Sequence, residues 1–165
     1  MKFYVFSDTH FNHKNIIDFC DRPSNHEEIM FKNMSMIKET DCLFHLGDIV
    51  FGKHQEAHEK YIKPLICKKI LVLGNHDNHS YSWYMDNGWD FACDLFKMKY
   101  AGKIICFSHR PQIWDGDWEI NIHGHLHNLD HRKDEWGKLK DWHILYSPEL
   151  RDYKPIELSK LVQGG

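Results

Sequence analysis

No apolar run in this chain is longer than a β-strand. A membrane-crossing helix takes about 20 consecutive apolar residues, so no contact with a membrane is expected. Paired cysteines are missing too. Cys20, Cys42, Cys67, Cys93 and Cys106 are odd in number and form no Cys-x-x-Cys motif, which reads as reduced thiols rather than a disulfide framework. The opening Met-Lys-Phe-Tyr-Val-Phe-Ser lacks a secretory apolar segment, and a cytoplasmic location is expected. There is no excess of basic residues: the net charge is −3 with His neutral. A long nucleic-acid duplex usually needs a basic face, and it is disfavoured as a partner. Repeats, low-complexity tracts and linkers are absent, and 165 residues suit one domain. That domain is expected over residues 1–163, with Gly164 and Gly165 as a tail. Nothing in the sequence fixes the oligomeric state.

Histidine, in contrast, is abundant. The chain has 14, dispersed rather than clustered as a tag, so their placement decides the reading. Residues 2–7 form a first apolar strand, running into Ser7-Asp8-Thr9-His10. Ser24 and Glu27 have the spacing of a capping box, opening a helix through about residue 39. Residues 42–45 form a second strand, ending at Leu46-Gly47-Asp48. A helix over about 53–62 stops at Pro64. Residues 69–73 form a third strand, ending at Gly74-Asn75-His76-Asp77. This alternation predicts a parallel sheet. Further strands are expected over 95–100, 103–108, 120–123 and 143–146, with Ala101-Gly102 as a hairpin turn. Residues 156–161 suit either a helix or a strand.

Five times an apolar strand runs directly into side chains able to bind metal: Asp8 and His10; Asp48; Asn75, His76 and Asp77; His109; His125 and His127. Ligands of open α/β sheets bind beyond the carboxyl ends of the strands, so these residues should meet on one rim. Any one cluster is explained equally well as a polar loop. Together they supply mainly His, Asp and Asn, a mixed nitrogen and oxygen set suited to Zn, Fe, Mn or related ions.

The blocks Asp8-Thr9-His10, Gly47-Asp48, Gly74-Asn75-His76-Asp77, His109 and Gly124-His125-Leu126-His127 resemble, in order, the motif set of the calcineurin-like metallophosphoesterases. The stretch from Asp8 to Ile17, then Asp21-Arg22-Pro23 and Asp152-Tyr153-Lys154-Pro155-Ile156, is similar to small bacterial and phage members. The resemblance implies an α/β fold: a two-sheet sandwich of mixed strands flanked by helices (α/β/β/α). It implies two divalent ions, with Mn favoured and Fe, Zn, Ni or Co as alternatives. Asp8, His10 and His127 would hold the first ion and Asn75, His109 and His125 the second, with Asp48 bridging both. Two ions about 3.5–4 Å apart stabilise the attacking and leaving oxygens of an in-line displacement and acidify a bound water, whose hydroxide attacks phosphorus. His76 would assist the leaving oxygen, and Asp77 would orient His76. Asn12, His13 and Arg22 are candidate substrate contacts, with Arg22 or Arg110 as a phosphate clamp. Trp114 and Trp118 are the tryptophans to test for substrate contact.

The implied function is hydrolysis of a small or exposed phosphoester, nucleotides included, with diesters favoured over monoesters. The alternatives are a non-catalytic interaction scaffold of the same fold and a small nuclease. An intact His76 argues against the scaffold. A chain this short has little room for the DNA-binding segments of larger nuclease relatives.

Overall fold

In the computed structural model, which describes residues 1–128 and 138–163, two sheets face each other. The first has the order β4-β3-β2-β1-β9. Here β1 is Phe3–Phe6, β2 Cys42–His45, β3 Lys68–Val72, β4 Phe91–Cys93 and β9 Ile156–Glu157. Strands β1 to β4 are parallel, and β9 runs antiparallel to β1. The second sheet has the order β5-β6-β7-β8, from Leu95–Tyr100, Lys103–Ser108, Ile120–His123 and His143–Leu145. A tight turn at Ala101-Gly102, both with positive φ, joins β5 and β6 as a hairpin, while β6, β7 and β8 are parallel. The expected sandwich of mixed sheets flanked by helices is the architecture observed.

Aromatic side chains fill the space between the sheets. Phe44 of β2 stacks on Phe107 of β6, with ring centroids 4.5 Å apart and planes 6° apart. It also lies 5.4 Å from Phe96 of β5. Phe3 meets Tyr100 edge-on at 5.9 Å. The helical segments add Met30, Met34, Ile62 and Tyr84 to the same core.

The helices depart from the sequence reading in detail. A short α1 covers Ile16–Cys20 and α2 covers His26–Met34, so α2 ends five residues before the expected limit. The capping box does not form. Asn25 stands at the N-cap without a side-chain bond, because the Glu27 carboxylate accepts from the Asn12 backbone N–H at 2.6 Å and from the Tyr61 hydroxyl at 2.7 Å. Helix α3, His54–Ala57, runs on as a π-helical turn over His58–Ile62. Helix α4, Tyr81–Asp86, is capped by the Ser80 hydroxyl. The ambiguous C-terminal stretch is both things at once: β9, then α5 over Leu158–Gln163.

Candidate metal centre

All five sequence blocks follow carboxyl ends of parallel strands. Asp8 and His10 follow β1, Asp48 follows β2, Asn75 to Asp77 follow β3, His109 follows β6, and His125 and His127 follow β7. The first two loops remain paired beyond their strands. Asp8 N–H donates to Gly47 O at 2.9 Å and His10 N–H to Asp48 O at 3.0 Å.

Asp8, His10, Asp48, His125 and His127 all have left-handed backbones, with φ of 53°, 47°, 55°, 71° and 51°. Asp and His are among the few non-glycine residues enriched in that region. The glycines beside them answer a different need. A Cβ on Gly74 would collide with Asp48 Oδ1 and the Asp48 amide, and one on Gly124 with Ser7 Oγ and Asp8 Oδ2.

The expected ligands gather into two of the three clusters able to hold an ion among the described residues, Asp8 with His10 and His127, and Asp48 with His109 and His125. In the first, Asp8 Oδ1 lies 3.8 Å from His10 Nε2 and 3.5 Å from His127 Nε2. In the second, His109 Nε2 lies 3.4 Å from Asp48 Oδ2, 3.0 Å from His125 Nδ1 and 3.1 Å from Asn75 Oδ1. Asp48 Oδ2 is also 3.6 Å from His10 Nε2. One oxygen therefore lies between the clusters, while Asp48 Oδ1 accepts from the His76 backbone N–H at 2.9 Å.

The donor set fits cations. Asp8 Oδ1 and both ring nitrogens of His10 are buried with no hydrogen-bond partner, an expensive arrangement unless a charge satisfies them. An ion holding ligands at about 2.0–2.2 Å requires pairwise separations under about 4.4 Å, which the distances above meet.

The electrostatics agree. Burial raises the Asp8 carboxyl above its usual range and pushes the His10 imidazolium well below its own. Burial works to raise Asp48 as well, but His109 holds it well below the usual carboxylate range. Burial opposes protonation of His109, yet the Asp48 hydrogen bond and the Asp8 and Asp48 charges lift it to about 9. Against the same opposition, Asp8, Cys20 and Glu149 lift His127 to about 10. The buried acids thus favour the protonated form of both imidazoles, and a divalent ion held by these residues would supply the same positive charge in place of the protons.

His76 stands at the rim with its side chain 39% exposed, its Nε2 3.9 Å from Asp48 Oδ2 and its ring 5.5 Å from that of His10. Asp77 requires a correction: its carboxylate does not reach the His76 ring. It accepts from the backbone N–H groups of Asp48 at 2.7 Å, Gly74 at 2.8 Å and Ile49 at 3.1 Å. It ties the β2 loop to the β3 loop instead of orienting an acid, and burial, with the Asp48 charge, pushes it up to about 6.

Arg22 is the second correction. Its side chain is fully buried, so it does not face a substrate. Nη1 donates to Thr9 O at 2.9 Å and Nη2 to Asp8 O at 2.7 Å. Nε donates to Glu149 Oε1 at 2.8 Å, and Nη2 lies 2.6 Å from the same oxygen. Glu149, which the sequence reading passed over, lies 3.2 Å from His127 Nδ1.

Asn12 and His13 are at the rim, as a substrate role requires. The His13 ring is 5.6 Å from His10 and 4.3 Å from the exposed Phe51. Arg110 is exposed, directly after His109. The tryptophan expectation does not fit. Trp114 and Trp118 line a groove with Ile104, Glu119 and Trp142, at the amino ends of β6 and β7 and so at the opposite edge of that sheet. Among the other histidines, His45 and His123 are buried at the ends of β2 and β7. His131 and Trp136 lie outside the described residues. No helix among the described residues is long and apolar enough to cross a membrane.

Residues 1–159 match the Metallophos family, described as calcineurin-like phosphoesterase. The chain is 30% identical over 173 residues to the uncharacterized protein MJ1445 of Methanocaldococcus jannaschii, covering 98% of this chain and 90% of that one. Among solved structures it is similar to AQ665 of Aquifex aeolicus, a protein of unknown function, with a TM-score of 0.76 and 28% identity over 99% of both chains. A structure described as a novel archaeal phosphodiesterase shares the fold, with a TM-score of 0.51 and 19% identity over 90% of this chain and 83% of that one. A match spanning nearly the whole sequence, with every motif block gathered on one rim, shows that the chain belongs to the calcineurin-like phosphoesterase family.

Proposed function

We propose that this protein hydrolyses phosphoesters at a dinuclear metal site, with Asp48 as the shared ligand. One observation carries the reading: Asp48 Oδ2 lies 3.6 Å from an imidazole nitrogen of one cluster and 3.4 Å from one of the other. Asp8, His10 and His127 would hold one ion, and Asn75, His109 and His125 the other. Bound ions would supply polarisation of the phosphoryl oxygens and an acidified water as nucleophile. The chain's own residues do the rest. Asp48 Oδ1, fixed by the His76 amide, keeps the shared carboxylate from rotating. His76 is placed to give a proton to the departing oxygen or to stabilise its charge.

The rim supports a small or exposed substrate. A groove of about 640 Å³ adjoins the centre and is lined by Asn12, His13, Lys14, Phe51 and Lys53 among others. Lys14 and the exposed ring of Phe51 suit the phosphate and base of a nucleotide. Glu27 and Glu28 line the same groove and Lys53 pairs with Glu56, so the preference for a diester of that kind rests on the family resemblance more than on the charge of the groove. The family resemblance favours Mn, and a site of imidazole, carboxylate and amide ligands also suits Fe, Zn, Ni and Co.

The test is to load the protein with each divalent ion and assay para-nitrophenyl phosphate, its bis-ester, and cyclic and linear nucleotides. Two ions per chain and turnover of diesters are expected, with Asp48→Asn losing more activity than any single terminal-ligand change. One ion per chain, or no turnover with any ion, would overturn the reading in favour of a scaffold.

A further inference from the structure

The two candidate ion positions are backed differently. His109 Nδ1 points at a neutral backbone carbonyl, Leu46 O, 2.7 Å away. His127 Nδ1 points instead at Glu149 Oε1, 3.2 Å away. Glu149 sits in a 3-10 turn over Pro148–Arg151, and its side chain is 2% exposed. Ser147 Oγ donates to its other oxygen at 2.5 Å. The Arg22 Nε and Nη2 groups grip Oε1, while Nη1 and Nη2 also hold the carbonyls of Thr9 and Asp8.

Each part has a physical consequence. An ionised carboxylate only accepts, so His127 must carry its proton on Nδ1, leaving the Nε2 lone pair for the cluster with Asp8 and His10. A carboxylate behind an imidazole also makes it a stronger donor to a metal. A further buried acid beside Asp8, Asp48 and Asp77 would be costly unpaired, and Arg22 supplies the balancing charge. Cys20, His127 and Glu149 are close enough together to be considered as another ion site. Arg22 Nη2, 2.6 Å from Glu149 Oε1, puts a cation there already and argues against one.

We infer that Arg22 and Glu149 are positioning residues for the Asp8–His10–His127 ion alone, so that the two metal positions differ in affinity through a pair of side chains that touch neither ion nor substrate. The inference rests on the dinuclear reading above. It gives Arg22 a task in place of the phosphate clamp, because one guanidinium holds both the orienting acid and the backbone of the Asp8 ligand loop.

The experiment is a titration of metal-stripped protein with Co²⁺, followed by calorimetry and by the visible ligand-field spectrum. The proteins are the wild type, Glu149→Gln and Arg22→Lys. Two ions are expected in the wild type. In Glu149→Gln one site should weaken by about 10–100-fold, the usual effect of losing such a partner, with the other unchanged and half of the spectrum lost at limiting cobalt. Glu149→Asp should recover part of the lost affinity. On the zinc-loaded wild type, nitrogen NMR should find His127 protonated at Nδ1. This measurement decides the question even if a variant does not fold, since metal on Nδ1 would overturn the inference. Two ions binding to Glu149→Gln as in the wild type would remove the inference and leave the proposed function standing. A wild type that takes up no ion would remove both.

Discussion

His76 is linked to Asp48 twice. Its backbone N–H donates to Asp48 Oδ1 at 2.9 Å, and its ring nitrogen Nε2 stands 3.9 Å from Oδ2. The main chain of His76 thus helps fix the carboxylate proposed to bridge the ions, while its ring remains at the open rim. Replacing the ring should leave the amide bond, and so the ion pair, in place.

His76→Asn should therefore retain both ions and the fold while kcat falls. General-acid assistance contributes typically about 10²–10⁴-fold, and a loss in that range is expected on an alkyl phosphoester. The loss should shrink on a nitrophenyl ester, whose leaving group scarcely needs a proton. Kinetics on both substrates, with metal analysis, check this. Equal losses would assign His76 to charge stabilisation or positioning.

Asp77 should behave in the opposite way. Asp77→Asn puts an amide NH₂ against backbone N–H groups that now meet acceptors. An unsatisfied buried group costs about 1–3 kcal/mol, and the lost stability should be measurable in urea. Activity should fall by the same factor on good and poor leaving groups, because the loops carrying Asp48 and Asn75 shift together. A mutant with wild-type stability and a loss confined to alkyl esters would restore Asp77 as the partner of His76.

Gly74→Ala tests the close approach of two loops. The new Cβ would run into the Asp48 backbone amide and into Asp48 Oδ1, a side-chain oxygen that the His76 N–H holds in place. Overpacking of this kind costs about 1–3 kcal/mol. Loss of at least one ion by elemental analysis is expected along with it. A variant that binds two ions normally would show that the loop has slack.

Away from the centre, His58 predicts an acid sensitivity. It is fully buried, its Nε2 has no partner, and burial lowers its pKa from 6.5 to about 4. The unfolded chain binds this proton below about pH 6.5 and the folded chain only below about pH 4. Stability should therefore fall as pH drops between those values, by at most about 3 kcal/mol from this group. Urea unfolding across that window should show a shallower slope for His58→Phe than for the wild type. Identical slopes would mean that His58 titrates normally in the fold.

The position of the candidate centre is legible in the sequence because each candidate ligand block follows a strand, and strand ends are marked by an abrupt change from apolar to polar residues. Phe6 before Ser7-Asp8 and His45-Leu46 before Gly47-Asp48 are clear boundaries of this kind. Burial is harder to read. Arg22 in Asp21-Arg22-Pro23 reads as a surface cation, and only the fold reveals the Glu149 carboxylate that accounts for it. Glu149 lies in a Pro-Glu-Leu turn with no periodicity around it, 22 residues from His127. Asp77 is legible as part of the centre, but its partners are backbone N–H groups, which leave no trace in a sequence. The expected capping box failed because Glu27 found better donors in Asn12 and Tyr61. Helices α1 and α4 and strand β4 are too short for a pattern to accumulate.

The stack of Phe44 on Phe107 bears on how damage to this protein would present itself. Phe44 lies four residues before Asp48 and Phe107 two before His109, so the two rings act as a shim between the strands that deliver those candidate ligands. Thinning it, as in Phe107→Leu, would alter the gap between the sheets far below the rim. Because each candidate ion takes ligands from both sheets, such a lesion in the interior would register first as altered metal occupancy, before any loss of secondary structure. Inherited or engineered changes in this layer belong with the ligand substitutions when variants are sorted by effect.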